Sequence, residues 1–107
     1  MGIGMQIVYL GFAGAARIEA EAAVQLLRLE RFHDRISGCH LAVELTHADV
    51  DNGRVYDVRL DLITRTGELV PLPHCVNADS EAAIAAAFDR AVRTLTDRSP
   101  SASRAMQ

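Results

Sequence analysis

Tyr56-Asp57-Val58-Arg59-Leu60-Asp61-Leu62 alternates apolar and charged residues without interruption, and the reading of this stretch decides the fold class. A period of two puts Tyr56, Val58, Leu60 and Leu62 on one face of a strand and Asp57, Arg59 and Asp61 on the other. That is the pattern of an antiparallel sheet with one face packed and one face wet. Such a sheet needs neighbouring strands, and helices to cover its apolar side.

The neighbours lie on either side in sequence. Upstream, Cys39 to His47 reads as a strand in which Cys39, Leu41, Val43 and Leu45 point one way and His40, Ala42, Glu44 and Thr46 the other. The intervening Asp49-Val50-Asp51-Asn52-Gly53 contains Asn-Gly, a strong hairpin signal. Downstream, Thr66-Gly67 turns into a fourth strand from about Glu68 to Val76. Pro71 and Pro73 have no N–H to give to a ladder, which places that strand at an edge.

Farther out, the period becomes helical. From about Ala15 to His33, Ile18, Ala22, Leu26, Leu29 and Phe32 recur at spacings of three and four, and Ser37-Gly38 is expected to stop that helix. Residues 5–12 (Met5 to Phe12) read as a first strand. Asp79 is a plausible N-cap for a second helix reaching about Asp97, with Ile84, Phe88, Ala91 and Leu95 as its buried stripe and Ser99-Pro100 as its stop. The order is β-α-β-β-β-α. A right-handed crossover makes the first two strands parallel, and two hairpins add the others. The expected architecture is therefore α+β: a two-layer sandwich of a four-stranded mixed sheet with both helices on one face. His40, Glu44, Asp57, Arg59 and Asp61 are expected in solvent. Residues 1–98 are expected to form a single domain, and 99–107 a flexible C-terminal tail.

A chain of 107 residues, half of them apolar, buries enough surface for one core without staples. No apolar run approaches the ~20 residues of a membrane span, and no basic start leads into an apolar signal core. The expectation is a cytoplasmic protein with no membrane partner, in which Cys39 and Cys75 are reduced thiols. The net charge of −3 argues against indiscriminate nucleic-acid binding but leaves room for a local basic stripe. All eleven basic residues are Arg. Residues 44–89 set three of them against nine acids, whereas residues 90–107 set Arg90, Arg93, Arg98 and Arg104 against Asp97 alone.

Catalysis finds no support. Nothing places a nucleophile beside a base, and there is neither a Gly-x-Ser-x-Gly elbow nor a phosphate-cradling glycine loop, so no catalytic residue, cofactor or small-molecule substrate is assigned. Cys39-His40 and His74-Cys75 form a mirrored pair of potential metal ligands. Adjacent strand residues point to opposite faces, so each pair offers at most one ligand to a given side, and no metal site is assigned. The arginines are better candidates. Arg28, Arg31 and Arg35 fall at i, i+3 and i+7 of the first helix, opposite its apolar stripe. Guanidinium forks suit phosphate oxygens, although a solvated face balanced by Glu30 and Asp34 is the simpler reading of the same residues. On the second helix Arg90 and Arg93 face outward, with Asp89 and Asp97 each four residues from Arg93 and so placed to mute them. Stacking of bases on aromatics is poorly supported, because Phe32, Phe88 and Tyr56 fall on core stripes.

Leu29-Glu30-Arg31-Phe32-His33-Asp34-Arg35-Ile36, with Cys39 and the strand Leu41 to Glu44, resembles the ribosome hibernation-promoting factor and ribosome-associated inhibitor A family, also known as sigma-54 modulation proteins. The resemblance continues through Val55 to Leu62 and Gly67-Glu68-Leu69-Val70. It closes with Ala83-Ile84, Phe88-Asp89-Arg90-Ala91 and Arg93-Thr94-Leu95-Thr96-Asp97, spanning about residues 5–98. It implies a fold like that of a double-stranded-RNA-binding domain. It also implies a non-catalytic factor that docks in the small ribosomal subunit, contacts ribosomal RNA and silences translation under stress or in stationary phase. The family's RNA-facing basic positions fall here on Arg28, Arg31 and Arg35, on Arg90 and Arg93, and on Arg98. Family binders are typically richer in Lys and Arg, so this acidic chain is expected to bind more weakly and with a shallower salt dependence. The resemblance is to the short form without the extra C-terminal dimerisation domain of long members, so pairing of ribosomes through such a domain is not expected, and the oligomeric state is left open. The alternative is a divergent paralogue of the same fold that binds another protein through its acidic sheet face or an uncovered strand edge.

Overall fold

A computed structural model describes residues 2–47 and 53–97. Its elements in chain order are β1 (Gly4–Leu10), α1 (Ala16–Leu26), a 3-10 segment (Leu27–Phe32), β2 (Ile36–His47), β3 (Arg54–Thr64), β4 (Leu69–Pro71), β5 (Cys75–Asn77) and α2 (Ser80–Asp97). β1 runs parallel to β2, with Ile7 against Leu41. β2 and β3 pair antiparallel, with Leu41 against Leu60. The architecture is the expected α+β arrangement of a mixed open sheet and two helices. The Asp49–Asn52 stretch of the hairpin signal lies outside the described residues, as do Arg98, the Ser99-Pro100 stop and the tail 99–107.

One core holds the two layers together. Cys39, Leu41 and Val43 of β2 and Val58, Leu60 and Leu62 of β3 meet Ile18 and Ala22 of α1, Leu29 and Phe32 of the 3-10 segment, and Ala83, Ile84, Ala87, Phe88, Ala91 and Leu95 of α2. Cys39 is part of this packing, and burial pushes its thiol up to about 12, so it stays protonated and inert at neutral pH. α2 starts as expected: the Asp79 carboxylate accepts the Glu81 N–H at 3.0 Å, satisfying one of the helix's orphan donors.

Three expectations change. The first helix is α-helical only to Leu26 and then tightens into the 3-10 segment. Ser37-Gly38 does not follow a helix stop but lies within β2, where the register shifts between Ile36 and Gly38. A side chain at Gly38 would press its Cβ to 3.1 Å from the Gly4 carbonyl oxygen, so glycine lets β1 lie close there. The fourth strand is split into β4 and β5, both paired with β3. Pro71 ends β4 and Pro73 lies in the break, where Leu72 N–H still reaches Leu60 O at 3.2 Å. Both pieces lie along one edge of β3, as the prolines require.

The wet face is also less wet than the alternation suggests. His40, Glu44 and Arg59 are exposed, but Asp57 is half-buried and Asp61 is buried. β3 is paired on both sides at these positions, with Asp61 between His40 and Pro71 and Asp57 between Glu44 and Val76. The flanking strands wall the two carboxylates in. Arg59 Nε stands 3.8 Å from Asp61 Oδ2, and His74 Nδ1 stands 2.9 Å from Asp57 Oδ1.

Candidate nucleic-acid interface

The buried stripe of α2 turns Arg90 and Arg93 outward, and both are exposed. Residues three apart share a helix face, so the two guanidinium groups work side by side. With Ala86 and Asp89 they form one wall of a shallow groove whose other wall is His74, Cys75 and Val76. Among the described residues neither arginine has an ion-pair partner. The direct pairing with Arg93 that the spacing allows is not formed: Asp89 turns to the other helix, and Asp97 makes no ion pair among the described residues. Asp89 Oδ1 receives Arg28 Nη1 at 2.7 Å.

The other basic residues are held differently. Arg28 also donates to Gln25 Oε1 at 2.9 Å, so its guanidinium is fixed between the two helices. Arg31 lies over the Phe32 ring, 4.7 Å from its centroid, and remains exposed. With Leu27 and Val92, these two arginines line a second groove where the 3-10 segment meets α2. Arg35 lies beyond that segment, in the turn before β2. It donates to the Leu95 carbonyl oxygen in the last turn of α2 and lies 5.4 Å from the Phe32 centroid. A cation in that position also complements the negative end of the helix.

The single stripe of Arg28, Arg31 and Arg35 is therefore not formed. A 3-10 segment with three residues per turn stacks Arg28 over Arg31 and carries Arg35 off the line. The structure brings together two pairs, Arg28 with Arg31 and Arg90 with Arg93, on either side of Asp89. Sequence reasoning missed Leu27, which is 70% exposed and lines the groove with Arg28 and Arg31. Its signal was its place off the apolar stripe. Cys39 and His40 point to opposite faces, and β3 separates them from His74 and Cys75. Among the described residues no group of three or more His, Cys, Asp or Glu side chains is placed to hold a metal.

This arrangement recurs in solved structures. A ribosomal subunit interface protein from Coxiella burnetii superposes with a TM-score of 0.64 at 14% identity, over 89% of this chain and 96% of that one. The N-terminal domain of Thermus thermophilus Protein Y superposes with a TM-score of 0.57 at 25% identity, again over 89% and 96% of the two chains. Both are of the hibernation-promoting factor family. The chain has the hibernation-factor fold. No family model and no curated protein matches its sequence. The resemblance seen in the sequence is thus matched by the backbone. In this copy of the hibernation-factor fold, the four arginines of the two grooves lie on the helical layer. No helix among the described residues is long and apolar enough to cross a membrane.

Proposed function

We propose that this chain acts as a hibernation factor: a cytoplasmic protein that docks on the small ribosomal subunit, contacts ribosomal RNA and inhibits translation during stress or stationary phase by occupancy. The observation that carries this reading is the coincidence of the fold with Arg28, Arg31, Arg90 and Arg93 on one exposed layer. Guanidinium groups offer paired donors at the spacing of phosphate oxygens. Arg98 would extend the set beyond α2. Arg35 serves the interface indirectly, by holding the turn before β2 against the end of α2. No bond is made or broken in this role, so it needs no cofactor and no small-molecule substrate.

Co-sedimentation with ribosomes through a sucrose gradient tests the reading. The expected result is migration with the small subunit at low salt and loss of binding as salt rises, because each phosphate neutralised releases counterions. With about five contacts rather than ten, the loss should be gradual. A protein that stays at the top of the gradient at low salt would keep its fold and lose this function.

A further inference from the structure

The two edges of the sheet are built differently. On one side Pro71, Pro73 and a break between β4 and β5 blunt the edge, a common protection against pairing with another chain. On the other side stands β1, which among the described residues pairs with β2 alone. Its sequence, GMQIVYL, carries no charge and no proline. Nothing in it opposes the addition of a strand.

The uncovered face of β1 has a different shape at each end. Gly4, Gln6, Val8 and Leu10 alternate onto this face, where Val8 is 52% and Leu10 45% exposed. At the other end, Gly4 stands beside Gly38 of β2. With no side chain on either, the surface dips into a shallow, open hollow of about 380 Å³ bordered by Gln6, His40 and Ile63. A Cβ placed on Gly4 would meet nothing within 4 Å. The strand carries a knob at one end and a socket at the other.

We propose that β1 pairs antiparallel with β1 of a second copy about a two-fold axis at Ile7, so that Leu10 of each chain covers the Gly4–Gly38 hollow of the other. In this register Gly4 faces Leu10, Met5 faces Tyr9 and Gln6 faces Val8. Directly opposed side chains in such a pair start about 5 Å apart, within reach of a leucine. The dip is open to solvent and a Cβ on Gly4 would meet nothing within 4 Å, so the leucine side chain can lie across it without a clash. Shifting the register by two residues one way sets Leu10 against Gln6 and leaves both sockets empty; the other way it sets the shorter Val8 against Gly4 and carries Leu10 beyond the paired stretch. The occupant is a second copy because knob and socket lie at mirrored distances from Ile7 on one uncharged strand. That is the self-complementarity an isologous contact requires. The arginines lie on the helical layer, so this pairing and ribosome docking stand or fall separately.

Sedimentation velocity on the full chain, from micromolar to near-millimolar concentration, tests the pairing. The mass should rise from 11.6 kDa toward twice that value, and hydrogen exchange of the β1 amides should slow with it. Val8→Arg with Leu10→Arg should give a monomer throughout with unchanged circular dichroism, since both residues are exposed in the single chain. Gly4→Val, placed in open space, should do the same by filling the socket. Leu27→Arg, an equally exposed apolar position on the helical layer, should leave the dimer intact. A wild-type monomer across the whole range overturns the proposal, as does a dimer that survives the double variant or is lost only with Leu27→Arg.

Discussion

The two helical elements each bring arginines to the same layer, and they hold them in opposite ways. α2 is one continuous capped helix, and the packing of Phe88 and Ala91 beneath it leaves Arg90 and Arg93 exposed, with no ion pair among the described residues. The first helix breaks into a 3-10 segment, and the arginines of that segment and of the turn beyond it take protein partners: Arg28 takes Asp89, Arg31 the Phe32 ring, and Arg35 the Leu95 carbonyl. A count of basic residues on a helical wheel treats the two alike. The structure separates arginines that stay exposed with no ion pair among the described residues from arginines already held by other parts of the fold.

The largest expected effect falls on α2. Arg90→Glu with Arg93→Glu should weaken ribosome co-sedimentation by on the order of 100-fold, because two phosphate contacts are replaced by two repulsions. The melting temperature should barely move, since neither side chain holds another element. The matched reversal of Arg28 and Arg31 should weaken binding less. Equal losses from the two pairs would erase the distinction between the helices.

Next in size is Arg35. Removing it as Arg35→Ala leaves the Leu95 carbonyl without this donor and strips one cation from the Phe32 ring, at a cost of about 2 kcal/mol. For a domain of this size that corresponds to a fall in melting temperature of roughly 10 °C in a thermal scan. Binding by the folded fraction should change far less than in the α2 variant. Arg31→Gln sits between the two cases. It should cost about 0.5–1 kcal/mol in denaturant titration from the lost cation–π contact, and remove about one unit from the salt dependence of ribosome binding. If Arg31→Gln leaves that salt dependence unchanged, Arg31 belongs with Arg35 as a structural residue.

The same contrast explains what the sequence could tell. β3 and α2 were legible because each carries one period through its whole length: two in Tyr56 to Leu62, and three to four in Ile84, Phe88, Ala91 and Leu95. Asp79 announced the start of α2 by its side-chain chemistry. The end of the first helix was not legible, because Leu26, Leu29 and Phe32 keep apolar spacing through both an α-turn and a 3-10 turn. Only packing against α2 decides between them. The burial of Asp61 was hidden for a similar reason. Alternation assigns it to the open face, but it cannot report that His40 and Pro71 flank it on both sides. The division of the arginines depends on contacts between residues some sixty positions apart, such as Arg28 with Asp89 and Arg35 with Leu95. No local pattern encodes these contacts.

The smallest effect sharpens the comparison most, because it runs opposite to the others. Asp89 lies between the two arginine pairs and holds Arg28 at 2.7 Å. Both partners are about half exposed, so their pairing adds at most about 1 kcal/mol to stability. Asp89→Asn keeps the shape and the hydrogen-bonding capacity while removing the charge. It should leave the melting temperature within a few degrees of wild type. It should also free Arg28 for phosphate and remove a repulsion beside Arg90 and Arg93, strengthening ribosome binding by roughly three-fold at low salt. The gain should shrink as salt rises, because the contact is exposed to screening. If Asp89→Asn instead weakens binding, Asp89 serves to aim Arg28 at its ligand, and the first helix contributes an oriented contact rather than a withheld one.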